Sequence, residues 1–276
     1  MKPSVTGLVL TYNGGRLLEK CLASLSFCDK VLVVDSFSTD DTVAIATAAG
    51  ATVLQRAWEG PGPQFQFAFS QIDTEWVVSL DQDEICTPAL RERILTAFAE
   101  QETVASPAGQ DAAASQARQG TQPPLAGYYV HRRNWYFDRF MQHSGWYPDA
   151  LLRVFRPALM QVQVSGAHYS FHPAGTTQTL AADILHYPYE SFAQHLDKIN
   201  SYAQQGADDL RRKGRKGGVL RGIGHGAVRF AKLYFFQRGV LDGRAGFINA
   251  AHGAFYAFLK YVRVEEGSWG KPYDHQ

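Results

Sequence analysis

The sequence predicts an α/β protein, a mostly parallel, doubly wound sheet followed by a helical C-terminal extension. Three observations carry this. Short apolar, β-branched runs alternate with helix-spaced segments over the first hundred residues, the βαβαβ pattern that builds parallel sheets. Two of those runs end on an aspartate, Asp35 and Asp81. From Ser191 onward the pattern is mainly helical.

Each element has a local reason. Ser4 to Leu10 is apolar and stops at the turn cluster Thr11-Tyr12-Asn13-Gly14-Gly15. Leu17, Leu18, Cys21, Leu22 and Leu25 follow at helical spacing. Lys30 to Val34 reads as a buried strand, and Ser38 or Thr39 is placed to cap a helix that Gly50 ends. Thr52–Gln55 and Trp76–Leu80 are further strands, with a helix over Gln64–Gln71 between them. Thr87-Pro88 opens a helix through Ala99, with Pro at the first helical position. Residues 105–124, rich in Ala, Gln, Ser, Gly and Pro, read as a flexible insertion. Tyr128–Asn134 resumes strand character. The expected division is a catalytic domain over 1–190 and a helical extension over 191–276, with no internal repeat.

Of the 276 residues, 45% are apolar and 13% aromatic, enough for a sizeable core and too many for a disordered chain. The net charge of +1 hides an asymmetry: residues 1–104 carry 7 Lys/Arg against 14 Asp/Glu, and the remainder is basic. Three cysteines at irregular spacing fit neither a zinc site nor a disulfide framework. No secretory pattern opens the chain, and no apolar run approaches the ~20 residues that span a bilayer. These features predict a cytoplasmic protein.

Chemistry concentrates at Asp81-Gln82-Asp83-Glu84, directly after an apolar strand. Carboxylates two apart in an extended segment point the same way and can hold a hard divalent cation, with water and phosphate oxygens completing its shell. An acidic turn capping the next helix is the plainer alternative. Asp35, followed by Ser36-Phe37-Ser38-Thr39, could accept hydrogen bonds from a base or ribose, or simply belong to a capped turn. The first turn lacks both G-x-G-x-x-G and the G-x-x-x-x-G-K-[ST] phosphate loop, which disfavours a dinucleotide dehydrogenase or a P-loop enzyme.

Taken together, TYNGG, VLVVDSFSTDDTVAIA, QRAWEGPGPQFQFAFSQ, WVVSLDQDE, GWYPDALLRVFR, DILHYPYESFAQHLDKINSYA, RGVLDGRAGF and FLKY resemble the family 2 glycosyltransferases, most closely the lipopolysaccharide-core branch. The resemblance covers nearly the whole chain outside 105–124. It implies a GT-A fold and inverting transfer of a hexose, glucose above all, from a nucleotide sugar such as a UDP-sugar. By position, Asp83 would be the main ligand of Mg2+ or Mn2+, with Asp81 on the ribose or metal and His168 a further metal candidate. Thr11, Tyr12, Asn13, Asp35, Ser38, Asp81 and Arg153 make up the expected donor-binding set. Two departures stand out. Gly14 replaces an acid the family often carries after the Asn, and Tyr169 replaces the Glu of a frequent His-Glu pair.

An inverting transfer needs a general base within about 3 Å of the acceptor hydroxyl proton. Asp149 is the first candidate and Glu84 the second, although Asp149 could instead pair with Arg153. His168, His172 and His186 each fit a metal ligand, a phosphate contact or ordinary packing. Trp135, Tyr136 and Trp146 could stack on sugars or fill the core. Nine Lys/Arg and no acid lie between Arg211 and Val240, interleaved with Phe230, Leu233, Tyr234, Phe235 and Phe236. This pattern points to docking on an anionic membrane surface, where a lipid-linked saccharide acceptor would reside, in preference to nucleic acid. The expected location is cytoplasmic, peripheral to the inner membrane. A sugar nucleotidyltransferase and a degenerate assembly protein are the alternatives.

Overall fold

The structure, a computed structural model, describes residues 3–105, 123–165 and 168–266. It divides into two compact units. The first comprises residues up to 132 with 150–186, and the second 133–149 with 187 onward. The expected insertion lies mostly outside the described residues.

The first unit is built on β1 (Val5–Thr11), α1 (Leu18–Ser24), β2 (Lys30–Asp35), α2 (Thr42–Ala48), β3 (Thr52–Gln55), α3 (Pro61–Ser70) and β4 (Trp76–Asp81). After these come β5 (Glu84–Cys86), α4 (Pro88–Ala105) and β6 (Leu125–Tyr136). The order along the sheet is β3-β2-β1-β4-β8-β6-β11-β5, where β8 is Asp149–Phe155 and β11 is Thr176–His186. β1, β2, β3 and β4 run parallel; β8 joins β4 and β5 joins β11 antiparallel. A separate hairpin pairs β9 (Met160–Ser165) with β10 (His168–Pro173).

Strand alternation divides the apolar side chains between two layers. Val9, Val33, Val78 and Leu80 face Leu18, Leu22, Leu90, Ile94 and Phe98 of α1 and α4. Leu8, Leu32, Val34 and Val77 face Phe65 and Ala68 of α3, with Phe171 and Tyr169 of the hairpin packed beside them. Each fully buried side chain of this size contributes roughly 1.5–3 kcal/mol. One local expectation fails: neither Ser38 nor Thr39 caps α2, which begins at Thr42. Their groups bond across the turn instead, the Ser38 hydroxyl to Asp35 and the Thr39 N–H to Asn13 Oδ1 (2.9 Å).

The second unit is helical: α5 (Phe192–Arg212), α6 (Val219–Ala231) and α7 (Gly243–Glu265). A π-helical turn, Lys232–Phe236, and a 3-10 turn, Gly239–Asp242, link the last two. Ser191 caps α5 by accepting from Gln194 N (3.1 Å), while Gln194 Oε1 accepts from Glu190 N (2.8 Å). The segment 133–149 contributes β7 (Arg139–Phe140), which pairs with Trp135 and Tyr136. Asp242 fastens this segment to α7 by accepting from Gln142 N, His143 N and His143 Nδ1 at 2.9–3.2 Å. At the centre Tyr136 Oη lies 2.9 Å from His195 Nδ1 and 3.1 Å from His252 Nδ1.

Candidate active site

The strand order β3-β2-β1-β4 puts a topological switch between β1 and β4, where parallel sheets leave a crevice beyond their carboxyl ends. Register brings the expected residues there. Thr11 stands opposite Asp35 and Leu10 opposite Asp81, so the two aspartates flank the end of β1. A cavity of about 630 Å³ opens at this point, lined among others by Thr11, Tyr12, Ser36, Trp58, Asp81 and Tyr169.

Gln82, between the two aspartates of the motif, fastens the crevice. Its Oε1 accepts from Thr11 Oγ1 (2.6 Å) and Tyr12 N (2.9 Å), and its Nε2 donates to Tyr12 O (3.2 Å). A Cβ on Gly14 would lie 2.5 Å from that same Oε1 and 2.7 Å from Thr11 Oγ1, so this arrangement requires glycine where the family often has an acid. Asn13 adopts φ +48°. Its N–H donates to Ser38 Oγ (2.8 Å), which leaves the Tyr12 ring exposed at the cavity rim.

Asp35 is 0% exposed. Its carboxylate accepts from Ser38 N and Gln55 Nε2, both at 3.0 Å, and from the Ser38 hydroxyl. Asp35 thus shapes the floor of the turn, and Ser36 rather than Asp35 lines the cavity.

Asp81 faces the cavity with one oxygen held by Arg153 Nη2 at 2.5 Å. The same Nη2 lies 2.7 Å from Glu84 Oε1, which also receives Arg132 Nη1 at 3.2 Å. Burial pushes the Asp81 carboxyl up, but the charge and hydrogen bond of Arg153 outweigh it, with His186 and Arg132 adding, and hold it below the usual carboxylate range. Glu84 is 0% exposed and accepts from Asp81 N (3.0 Å). It anchors the arginines and the turn, and offers no open face to an acceptor hydroxyl. Arg153, expected on the donor, is buried behind Asp81. Tyr169 lines the cavity wall near Arg153, its ring packing on Phe65 at 5.0 Å. Burial raises its hydroxyl above the ordinary value, with Arg153 partly offsetting that.

Asp83 lies in the β4–β5 turn, with Oδ2 3.5 Å from His186 Nε2. The pairing of β11 with β5 sets this up by placing His186 opposite Glu84. Among the described residues no cluster of three or more His, Cys, Asp or Glu is arranged to hold a metal unaided. The side chain of His168 lies outside the described residues, and His172 Nε2 is 3.0 Å from Ser170 Oγ. Asp149 is half-buried, the first residue of β8 and one after the cis Tyr147–Pro148 bond. It belongs to the second unit. Trp135 packs on Phe140, and Tyr136 on Trp146, both at 5.0 Å. Sequence reasoning gave no part to Trp58 or Gln82; position alone, between two motif aspartates, was the available sign for Gln82.

A mostly parallel sheet with a cavity at its switch point and acids on the bordering strand ends makes this a doubly wound α/β protein of GT-A type. Residues 8–165 match Glycosyl transferase family 2, and the chain belongs to that family: it is a glycosyltransferase. An uncharacterized glycosyltransferase of Rickettsia bellii is 27% identical over 263 residues, 95% of this chain and 86% of the relative. The lipopolysaccharide core biosynthesis glycosyltransferase LpsC of Rhizobium meliloti is 26% identical over 275 residues, 95% and 92% of the two chains. Glucosyl-3-phosphoglycerate synthase of M. tuberculosis, crystallised with Mn2+, uridine diphosphate and phosphoglyceric acid, aligns with a TM-score of 0.45 and 16% identity, over 79% of this chain and 81% of that one. Family membership sets aside a sugar nucleotidyltransferase.

Proposed function

We propose that this chain is an inverting hexosyltransferase, moving glucose from a UDP-sugar to a lipid-linked saccharide of the lipopolysaccharide-core type. It would work in the cytoplasm, peripheral to the inner membrane. The observation that carries this is Asp81 at the sheet's switch point, lining a cavity of nucleotide size, with Asp83 two residues on in the following turn. Similarity over nearly the whole length to a relative named for lipopolysaccharide core biosynthesis supports the acceptor class.

The residues fit a divalent cation. Asp83 Oδ2 and His186 Nε2, 3.5 Å apart, can share one ion, and Asp81 faces the cavity beside them. Too few side chains gather to complete a shell unaided, so donor phosphate oxygens and water would supply the remainder, as is usual for Mg2+ and Mn2+. When bound, the cation would neutralise charge on the departing diphosphate. Thr11 and Tyr12 would border the nucleoside, with Asn13, Asp35 and Ser38 holding the turn in shape. Arg153, anchored by Glu84, would fix the rotamer of Asp81. Asp149 remains the proposed base for the acceptor hydroxyl, because Glu84 is sealed between Arg132 and Arg153.

Screening nucleotide sugars for thermal stabilisation with Mn2+ present identifies the donor. Transfer by Asp83→Ala then tests the site. The variant should fold normally and lose about a thousandfold or more in turnover, since such a cation supplies several kcal/mol to the transition state. Normal turnover would remove Asp83 from the mechanism.

A further inference from the structure

In α6 the usual relation between burial and side-chain type is reversed. Its buried positions are Gly222 and Gly226. A Cβ on Gly222 would lie 3.0 Å from Phe258 O, and one on Gly226 3.1 Å from Ala254 O. Glycine here lets the backbones of α6 and α7 approach closely. The large apolar side chains of α6 point the other way: Leu220 is 85% exposed and Val228 68%, with Ile223 and Val219 about half exposed.

The apolar face continues past α6. At about 100° per residue, Ile223, Leu220 and Val228 share one side, with Val219 at one margin and Arg221, His225 and Arg229 beyond the other. The following turn is π-helical, closed by Gln237 N to Lys232 O at 2.8 Å. Its wider winding advances each residue by a smaller angle, so Phe235 returns to the side of Leu220 and Phe236 follows at that side's edge. Phe236 is 83% exposed. Exposed Val240 and Leu241 follow, and Phe247 joins through rings 5.8 Å from both Phe230 and Tyr234. Leu233, which the sequence had grouped with these residues, is buried.

We infer that the face formed by Leu220, Ile223, Val228, Phe235, Phe236 and Leu241 inserts into the interfacial layer of an anionic phospholipid membrane. This deepens the peripheral association proposed above and rests on that part of the reading. Exposed apolar surface on this scale marks a membrane or partner contact. Charge decides for lipid: no acid lies between residues 211 and 240, and of the nine Lys/Arg there all but Arg211 and Arg212, which pair with Asp208 and Asp209, complement anionic headgroups. Among the described residues no helix is long and apolar enough to cross a bilayer, so the face lies in the interface.

Flotation of the full chain with phosphatidylglycerol-containing and pure phosphatidylcholine vesicles tests this. The wild type should float with the anionic vesicles and be released by salt. Phe235→Glu/Phe236→Glu and Leu220→Glu/Ile223→Glu should each reduce the bound fraction at least tenfold with unchanged circular dichroism. Failure to float, equal binding to both vesicle types, or retained binding in both variants would overturn the proposal. So would a dimer that the same substitutions dissociate, which would make a second copy the occupant. Metal-dependent donor hydrolysis without vesicles separates the two readings: its loss in the wild type would count against the proposed transfer and leave the membrane face standing.

Discussion

In the first unit, β1, β2 and β4 bury Leu8, Val33, Val78 and Leu80, and β2 and β4 end on aspartates; in the second, α6 buries glycines and turns leucine, isoleucine and valine outward. The same physics operates in both. Apolar area leaves water wherever a nonaqueous neighbour exists. For the strands that neighbour is the rest of the unit; for α6 the proposed neighbour is lipid. A buried apolar pattern therefore locates a core, whereas an outward one locates a partner.

The contrast breaks most readily at its buried cation, Arg153. Arg153→Met strands Asp81 and Glu84 without their shared cation and should cost about 3–5 kcal/mol, read as a lowered urea midpoint. A variant of unchanged stability would mean that the carboxylates find other partners.

Acid sharpens the comparison in the second unit. Burial, with the neighbouring His252 and then Lys198, lowers His195 to about 4 from the ordinary 6.5. The folded state thus binds this proton less readily than the unfolded chain. The stability is fully present above pH 6.5 and is lost as pH falls toward 4, by about 3 kcal/mol. Urea midpoints between pH 7 and 4 should show the loss, and His195→Phe should flatten it.

Within α6 itself, Gly222→Leu should destabilise by about 1–3 kcal/mol through overpacking against Phe258. Leu220→Ser, two residues away, should stay within about 0.5 kcal/mol. If the glycine tolerated leucine and the leucine did not tolerate serine, α6 would be facing the other way.

Much of the parallel half was legible because its strands are continuous apolar runs that stop at turn residues, and parallel strands buried on both faces read that way. Asp35 and Asp81 were legible as strand ends for the same reason. The antiparallel half was not. β9 and β11, MQVQVS and TTQTLAADILH, are short of buried apolar residues, and β11 pairs with β5, distant in the chain. His186 reaches Asp83 only through that pairing, so local pattern left it one of three histidines. The seal on Asp35 depends on Gln55, twenty residues on. In α6 the sequence showed the basic and aromatic content, but only helix packing reveals that glycines take the inner face.

The proposed transfer depends most on a nucleoside diphosphate and a cation meeting at Asp83. Calorimetric titration of uridine diphosphate, with and without Mn2+, into the wild type and Asp83→Ala measures this directly. Mn2+ should tighten binding at least tenfold, worth about 1.4 kcal/mol, in the wild type and leave the variant unchanged. Equal affinity with and without Mn2+, or the same enhancement in Asp83→Ala, would contradict it.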